Sequence, residues 1–149
     1  MQARIKDPVA VMQEAVQPLV TLGAIVSSGP IPPVTRELVH LRVSQINGCA
    51  VCIDMHVAKQ HDTPQRIAAV PAWREAPFFT DAERAALALA ESITRIADRE
   101  DRVPDAIWND AARHYDEPAL AALVLYISMT NLYNRLNVAT RQVAGTQKW

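Results

Sequence analysis

Apolar residues recur at helical spacing along most of the chain, and prolines and capping residues cut that periodicity into segments. Val9, Met12, Val16, Leu19 and Leu22 fall on one stripe. Pro18 interrupts it and predicts a kink or split, because proline removes a backbone donor. Gly29-Pro30-Ile31-Pro32-Pro33 then stops any helix. A second helix is expected from about Val34 to Ile46, with Val34, Leu38 and Leu41 on its apolar side. Asn47 and Gly48 end it, and Asn47 suits the N-cap of a third helix that would carry both cysteines in its first turns. Thr63-Pro64 marks the start of a short helix that Pro71 closes. Thr80-Asp81-Ala82-Glu83 spells a capping box, with Ala86, Leu89, Ile93 and Ile96 behind it. Pro104 opens a sixth helix holding Ile107 and Ala111, and Pro118 opens a long last one through Leu123, Ile127 and Leu132. No stretch alternates long enough to make a strand, and no repeat or low-complexity tract is present. The pattern predicts an all-α fold.

Length and composition narrow this further. A chain of 149 residues is large enough to bury a core without staples and is expected to form one domain over 1–149. Hydrophobic residues make up 50% and the formal net charge is −1. That balance gives no electrostatic case for nucleic acid or an anionic membrane. Few aromatics and much alanine favour closely packed helices over a sheet sandwich. Met1 to Lys6 is polar, with no apolar core of a signal peptide. Ala119 to Met129, the longest apolar stretch, is interrupted at Ser128 and is too short to span a bilayer. The expected setting is the cytoplasm, where thiols are kept reduced.

That setting makes the cysteines informative. Cys49 and Cys52 are the only two, three residues apart, and His56 follows one helical turn later. A disulfide between them would close a tiny loop and stabilise the fold little, so the pair points to thiol redox chemistry. At helical spacing their Cα atoms would lie roughly 5–5.5 Å apart, within the reach of a disulfide. The reactive species is the thiolate, and a free cysteine near pKa ~8.5 is only a few per cent ionised at neutral pH. Lowering that value by about two units requires ~2.7 kcal/mol of differential stabilisation. A helix start and the His56 imidazole are available sources. Glu37 on the preceding helix is a candidate to orient the imidazole, and His40 and Ser44 lie on the same side of that helix.

Each feature also has a plainer reading. Cys49, Cys52, His56 and Glu37 could supply four zinc ligands, although there is no second cysteine pair and three ligands on one helix strain a tetrahedron. His56 alone would suit a helix surface or cap, and Glu37 alone a solvated first-turn carboxylate. His61 and His114, near predicted helix ends, read as structural. Asn131, Asn134 and Arg135 either line a pocket, satisfy carbonyls or make a subunit contact.

The stretch from Glu37 to His56 combines a glutamate, a CxxC pair beginning twelve residues later and a histidine four residues beyond the second cysteine. It closely resembles the core of AhpD-like alkylhydroperoxidases of the carboxymuconolactone decarboxylase-like superfamily. Ala72 to Thr80, Glu83 to Ala88 and Asn131 to Leu136 look like further segments of that family, so the resemblance spans roughly residues 20 to 140. It implies an all-helical bundle of about six to seven helices that assembles into homotrimers or homohexamers. It also implies a hydroperoxide substrate, Cys52 as the peroxidatic cysteine, Cys49 as the resolving one, and a proton relay of His56 and Glu37. An external dithiol, lipoyl-type or thioredoxin-like, would reset the pair, with no metal, flavin or haem. Val51 departs from the pattern: the best-studied peroxidases carry a second histidine there, which implies a shorter relay. The segment from His56 to Trp73 also lacks the glycine often found after the motif helix. Two other readings stay open. One is a decarboxylase-type lyase, although that branch lacks the cysteine pair; the other is a redox-sensing scaffold without significant turnover.

Overall fold

The computed structural model describes residues 2–59 and 62–146, and among them every regular element is helical. Eight α-helices run in the order α1 (Pro8–Val11), α2 (Gln13–Ser27), α3 (Pro33–Asn47), α4 (Ala50–Lys59), α5 (Pro64–Ala69), α6 (Asp81–Thr94), α7 (Asp105–His114) and α8 (Glu117–Ala139). All seven segments expected from the periodicity are present, and the first is divided. Its break falls at Met12, whose backbone leaves the helical region, while Pro18 is carried inside α2. The carbonyl that Pro18 leaves without an intrahelical donor belongs to Glu14, an exposed residue that water reaches.

Local chemistry sets most of the other boundaries. Thr80 and Glu83 form the capping box, with Glu83 N–H donating to Thr80 Oγ1 at 3.2 Å and Thr80 N–H donating to Glu83 Oε2 at 2.8 Å. Asp116 caps α8 by accepting from Ala119 N–H at 3.0 Å. Thr63 caps α5, which tightens after Ala69 into a short 3₁₀ turn through Pro71. Ile96 departs from its expected stripe: α6 stops at Thr94, and Ile96 lies beyond it, exposed.

Helices α3, α6 and α8 form the centre. Val39 and Val43 of α3 meet Ala85, Ala86, Leu89 and Ala90 of α6, and Leu123 and Ile127 of α8 close the cluster. Alanines on α6 let the neighbouring backbones approach closely. The opposite face of α3 buries Leu38 and Leu41 against Val70, Trp73, Phe79 and Leu87. Among the described residues no helix is long and apolar enough to cross a membrane.

One buried charge ties these parts together. Glu91 of α6 accepts from Arg42 Nε at 2.6 Å, Trp73 Nε1 at 3.0 Å and Arg74 Nη2 at 2.8 Å. Burial alone would raise its pKa, but the Arg74, Trp73 and Arg42 hydrogen bonds and the Arg42 charge bring it down to about 2. The folded-state value lies below the unfolded one. The stabilisation is therefore complete above the ordinary carboxylate range and is lost as pH falls from about 4.5 toward 2. Linkage makes it worth about 3 kcal/mol. Urea denaturation across that window should show this acid-dependent loss in the wild type and little of it in Glu91→Gln, which should already be destabilised at neutral pH.

Candidate functional site

The site begins where α3 ends. Gly48 adopts the left-handed conformation, φ 67° and ψ 31°. Its N–H reaches Gln45 C=O at 3.3 Å and the following Cys49 N–H reaches Ser44 C=O at 2.9 Å, closing a Schellman turn. Cys49 accepts the first hydrogen bond of α4, from Ile53 N–H at 3.0 Å, so both cysteines stand at the start of that helix. Asn47 does not cap α4 as expected. It is the last residue of α3, and its side chain turns to α8, where Nδ2 lies 3.0 Å from Asn131 Oδ1 and 2.9 Å from Asn134 Oδ1.

Cys49 and Cys52 form a disulfide with Cα atoms 5.4 Å apart, within the separation expected from helical spacing. Both are almost sealed, Cys49 1% and Cys52 4% exposed, so a reagent must enter through the adjoining cavities. One, of about 380 Å³, is lined by Cys52, His40, His56, Glu37, Tyr126 and Tyr133, with Met55 and Met129 among its apolar walls. The other, of about 440 Å³, is lined by Gly48, Cys49, Val138, Arg141 and Gln142. Val51 and Asn137 belong to both.

Within the first cavity the His56 Nδ1 of α4 pairs with Glu37 Oε2 of α3. Glu37 lies past the first turn of its helix and is largely covered, so the picture of a solvated first-turn carboxylate does not apply. His40, one turn further along α3, sets its ring 3.8 Å from that of His56, centroid to centroid. Tyr126 of α8 faces the same space. Burial raises its phenol, the nearby Glu37 charge adds to this against Arg36, and the group stays a neutral O–H donor at ordinary pH.

Two amides reach the Cys52 sulfur: Asn134 Nδ2 at 3.1 Å and Asn137 Nδ2 at 3.4 Å. Asn134 Nδ2 also donates to Ser44 Oγ at 3.1 Å. Asn137 is absent from the expectations drawn from the sequence. The available signal was three asparagines spaced by three, 131, 134 and 137, on one face of a mostly apolar helix. Arg135 lies elsewhere, beside Leu132 and Leu136 on another part of the α8 surface. His114 is exposed at the end of α7, and His61 falls outside the described residues. Among the described residues no three His, Cys, Asp or Glu side chains are grouped to hold a metal ion.

With this geometry in view, residues 15–92, from α2 through α6, match the carboxymuconolactone decarboxylase family. The chain belongs to that family. It is also similar to the uncharacterized protein YdfG of Bacillus subtilis (strain 168), 45% identical over 116 residues, covering 76% of this chain and 78% of YdfG. The uncharacterized protein YnjA of Escherichia coli (strain K12) is 37% identical over 113 residues, covering 74% of this chain and 60% of YnjA. A crystal structure of a protein of unknown function from Agrobacterium tumefaciens, provisionally described as the antioxidant defence protein AhpD, superposes with a TM-score of 0.89. The two are 30% identical, with 98% of this chain and 100% of that one covered. This member of the carboxymuconolactone decarboxylase family is thus AhpD-like in fold and carries a CxxC disulfide. The family match covers Glu37, both cysteines and His56, whereas the α8 asparagines lie beyond it.

Gly48 is exposed at the turn between α3 and α4. A Cβ added there would meet nothing within 4 Å, so a substitution costs only backbone strain. Gly48→Ala should lower stability in urea by about 1 kcal/mol and slow thiol–disulfide exchange by loosening the start of α4.

Proposed function

We propose that this protein is a thiol peroxidase that reduces organic hydroperoxides through a Cys49–Cys52 dithiol cycle. The observation that carries the reading is the disulfide itself, its second sulfur opening on a cavity that also holds a paired His56 and Glu37. In the reduced protein the Cys52 thiolate attacks the terminal oxygen of the hydroperoxide. The O–O bond breaks, sulfur is oxidised to sulfenic acid, and the alkoxide leaves as alcohol after taking a proton. Cys49 then attacks the sulfenic sulfur, expelling water and forming the disulfide. His56, oriented by Glu37, takes the Cys52 proton and returns it to the departing oxygen.

Several features bear on the details. Val51 supplies no imidazole where the family's peroxidases carry one, and the His40 ring beside His56 offers a second from α3. Walls containing Met55, Met129, Tyr126 and Tyr133 favour a hydroperoxide with a compact apolar group. The separate cavity on the Cys49 side gives an external dithiol, lipoyl-type or thioredoxin-like, an approach that does not compete with substrate. Its thiolate would attack Cys49 and release Cys52, acquiring the disulfide in turn. Exposed Val11, Met12, Val20 and Ile25 along α1 and α2 are consistent with a homotrimer or homohexamer that covers them. A reducing compartment such as the cytoplasm would sustain the cycle.

The test is a free-thiol count on reduced protein before and after stoichiometric cumene hydroperoxide. Wild type should lose both thiols, and Cys49→Ser should accumulate a dimedone-trappable sulfenic acid at Cys52. His56→Ala should slow the loss by about 100-fold at neutral pH. Peroxide consumption no faster than by free cysteine would instead favour a redox sensor. Turnover of a carboxylated ring lactone that survives Cys52→Ser would favour a decarboxylase-type lyase.

A further inference from the structure

The amides around Cys52 form a chain whose direction can be worked out from one end. Asn131 Nδ2 donates to the backbone carbonyl of Ile127 at 2.9 Å and to Thr94 Oγ1 at 3.2 Å. A carbonyl only accepts, so that end of the Asn131 amide is its NH₂ and its oxygen faces the other way. The Asn47 amide meets this oxygen at 3.0 Å and must present its own NH₂. The same nitrogen lies 2.9 Å from Asn134, which therefore turns its oxygen to Asn47. What remains of Asn134 is an NH₂ aimed at Ser44 Oγ and Cys52 Sγ. No member of the chain can flip alone without setting two oxygens or two NH₂ groups against each other. A backbone carbonyl on α8 thus determines which end of a distant amide touches sulfur.

We propose that Asn134, assisted by Asn137, holds Cys52 as a thiolate in the reduced protein, and that Asn47 is the positioning residue that fixes the Asn134 amide with its donors toward sulfur. A disulfide sulfur is a weak, neutral acceptor. Reduction places a full negative charge at the same point, and the two N–H···S contacts become charge-assisted. The donors stand in place before the charge forms, beside a cysteine that is itself only 4% exposed. They favour thiolate over thiol and dithiol over disulfide, so they both lower the Cys52 pKa and make the disulfide easier to reduce. Among the described residues no side-chain amide reaches the Cys49 sulfur, which makes Cys52 the better leaving group when the bond is opened.

This inference takes Cys52 as the ionising sulfur, as the peroxidase reading does, but its test uses no peroxide. In reduced Cys49→Ser protein, thiolate ultraviolet absorbance is followed against pH. The midpoint should lie below that of free cysteine. Adding Asn134→Ala should raise it by roughly one pH unit, a tenfold smaller acid dissociation constant, and Asn137→Ala should raise it by less. Asn47→Leu, neutral and similar in size, should raise it too although residue 47 does not touch sulfur; a packing role alone would leave the midpoint in place. A parent midpoint no lower than free cysteine overturns the proposal, as does an unmoved midpoint in both Asn134→Ala and Asn137→Ala. Should Asn134→Ala not fold, judged by circular dichroism, the half-buried Asn137→Ala decides alone, and an unmoved midpoint there overturns it. A low, amide-dependent midpoint without peroxide reduction would sustain this inference while removing the peroxidase reading.

Discussion

The reversal at Gly48 is the constraint on which the site depends. A left-handed residue there turns the chain in one step from α3 into α4, and three consequences follow from the geometry of that step. Cys49 and Cys52 come to lie at a helix start, within bonding distance. Asn47, left as the final residue of α3, points away from α4 and toward α8. Ser44, one turn earlier, both accepts the Cys49 N–H through its carbonyl and meets Asn134 through its hydroxyl. A longer loop could hold the cysteines, but it would not fix all three groups against one another.

The polar strip between α3, α4 and α8 lies within a largely apolar interior. A buried amide left unpaired costs about 1–3 kcal/mol, so a row of them is tolerable only when the pairing is nearly complete. Here Asn131, Asn134 and Asn47 satisfy one another, Ser44, Thr94 and the Ile127 carbonyl. Glu91 solves the related problem for a charge, with two arginines and an indole N–H around one carboxylate. The two networks do different work: Glu91 pins Trp73 and Arg74 to α3 and α6, whereas the amides end on a sulfur. That sulfur is the one partner in the strip whose charge changes with redox state.

The pair is therefore asymmetric although its sequence is nearly symmetric. Cys52 has two amides and a cavity shared with His56, His40 and Glu37, while Cys49 has a different cavity edged by Arg141 and Gln142. The two sulfurs of one bond thus face different cavities.

How much of this was legible beforehand follows from the range of each interaction. Helix periods, the Thr80 capping box and the Pro118 start are local, and they were readable because each depends on neighbours within four residues. The cysteine pairing was readable too, since Cys49 and Cys52 stand one turn apart at the start of one short helix. Met12 as the break in place of Pro18, and Asn47 as an α8 contact in place of a cap, were not. Both depend on which faces are solvated or covered, and a one-dimensional pattern does not carry that. By itself the sequence determined an all-α chain with a dithiol beside a titratable base. Only the tertiary structure decided which sulfur is surrounded by amide donors, because those donors come from a helix 82 and 85 residues further along, laid across the site by core packing.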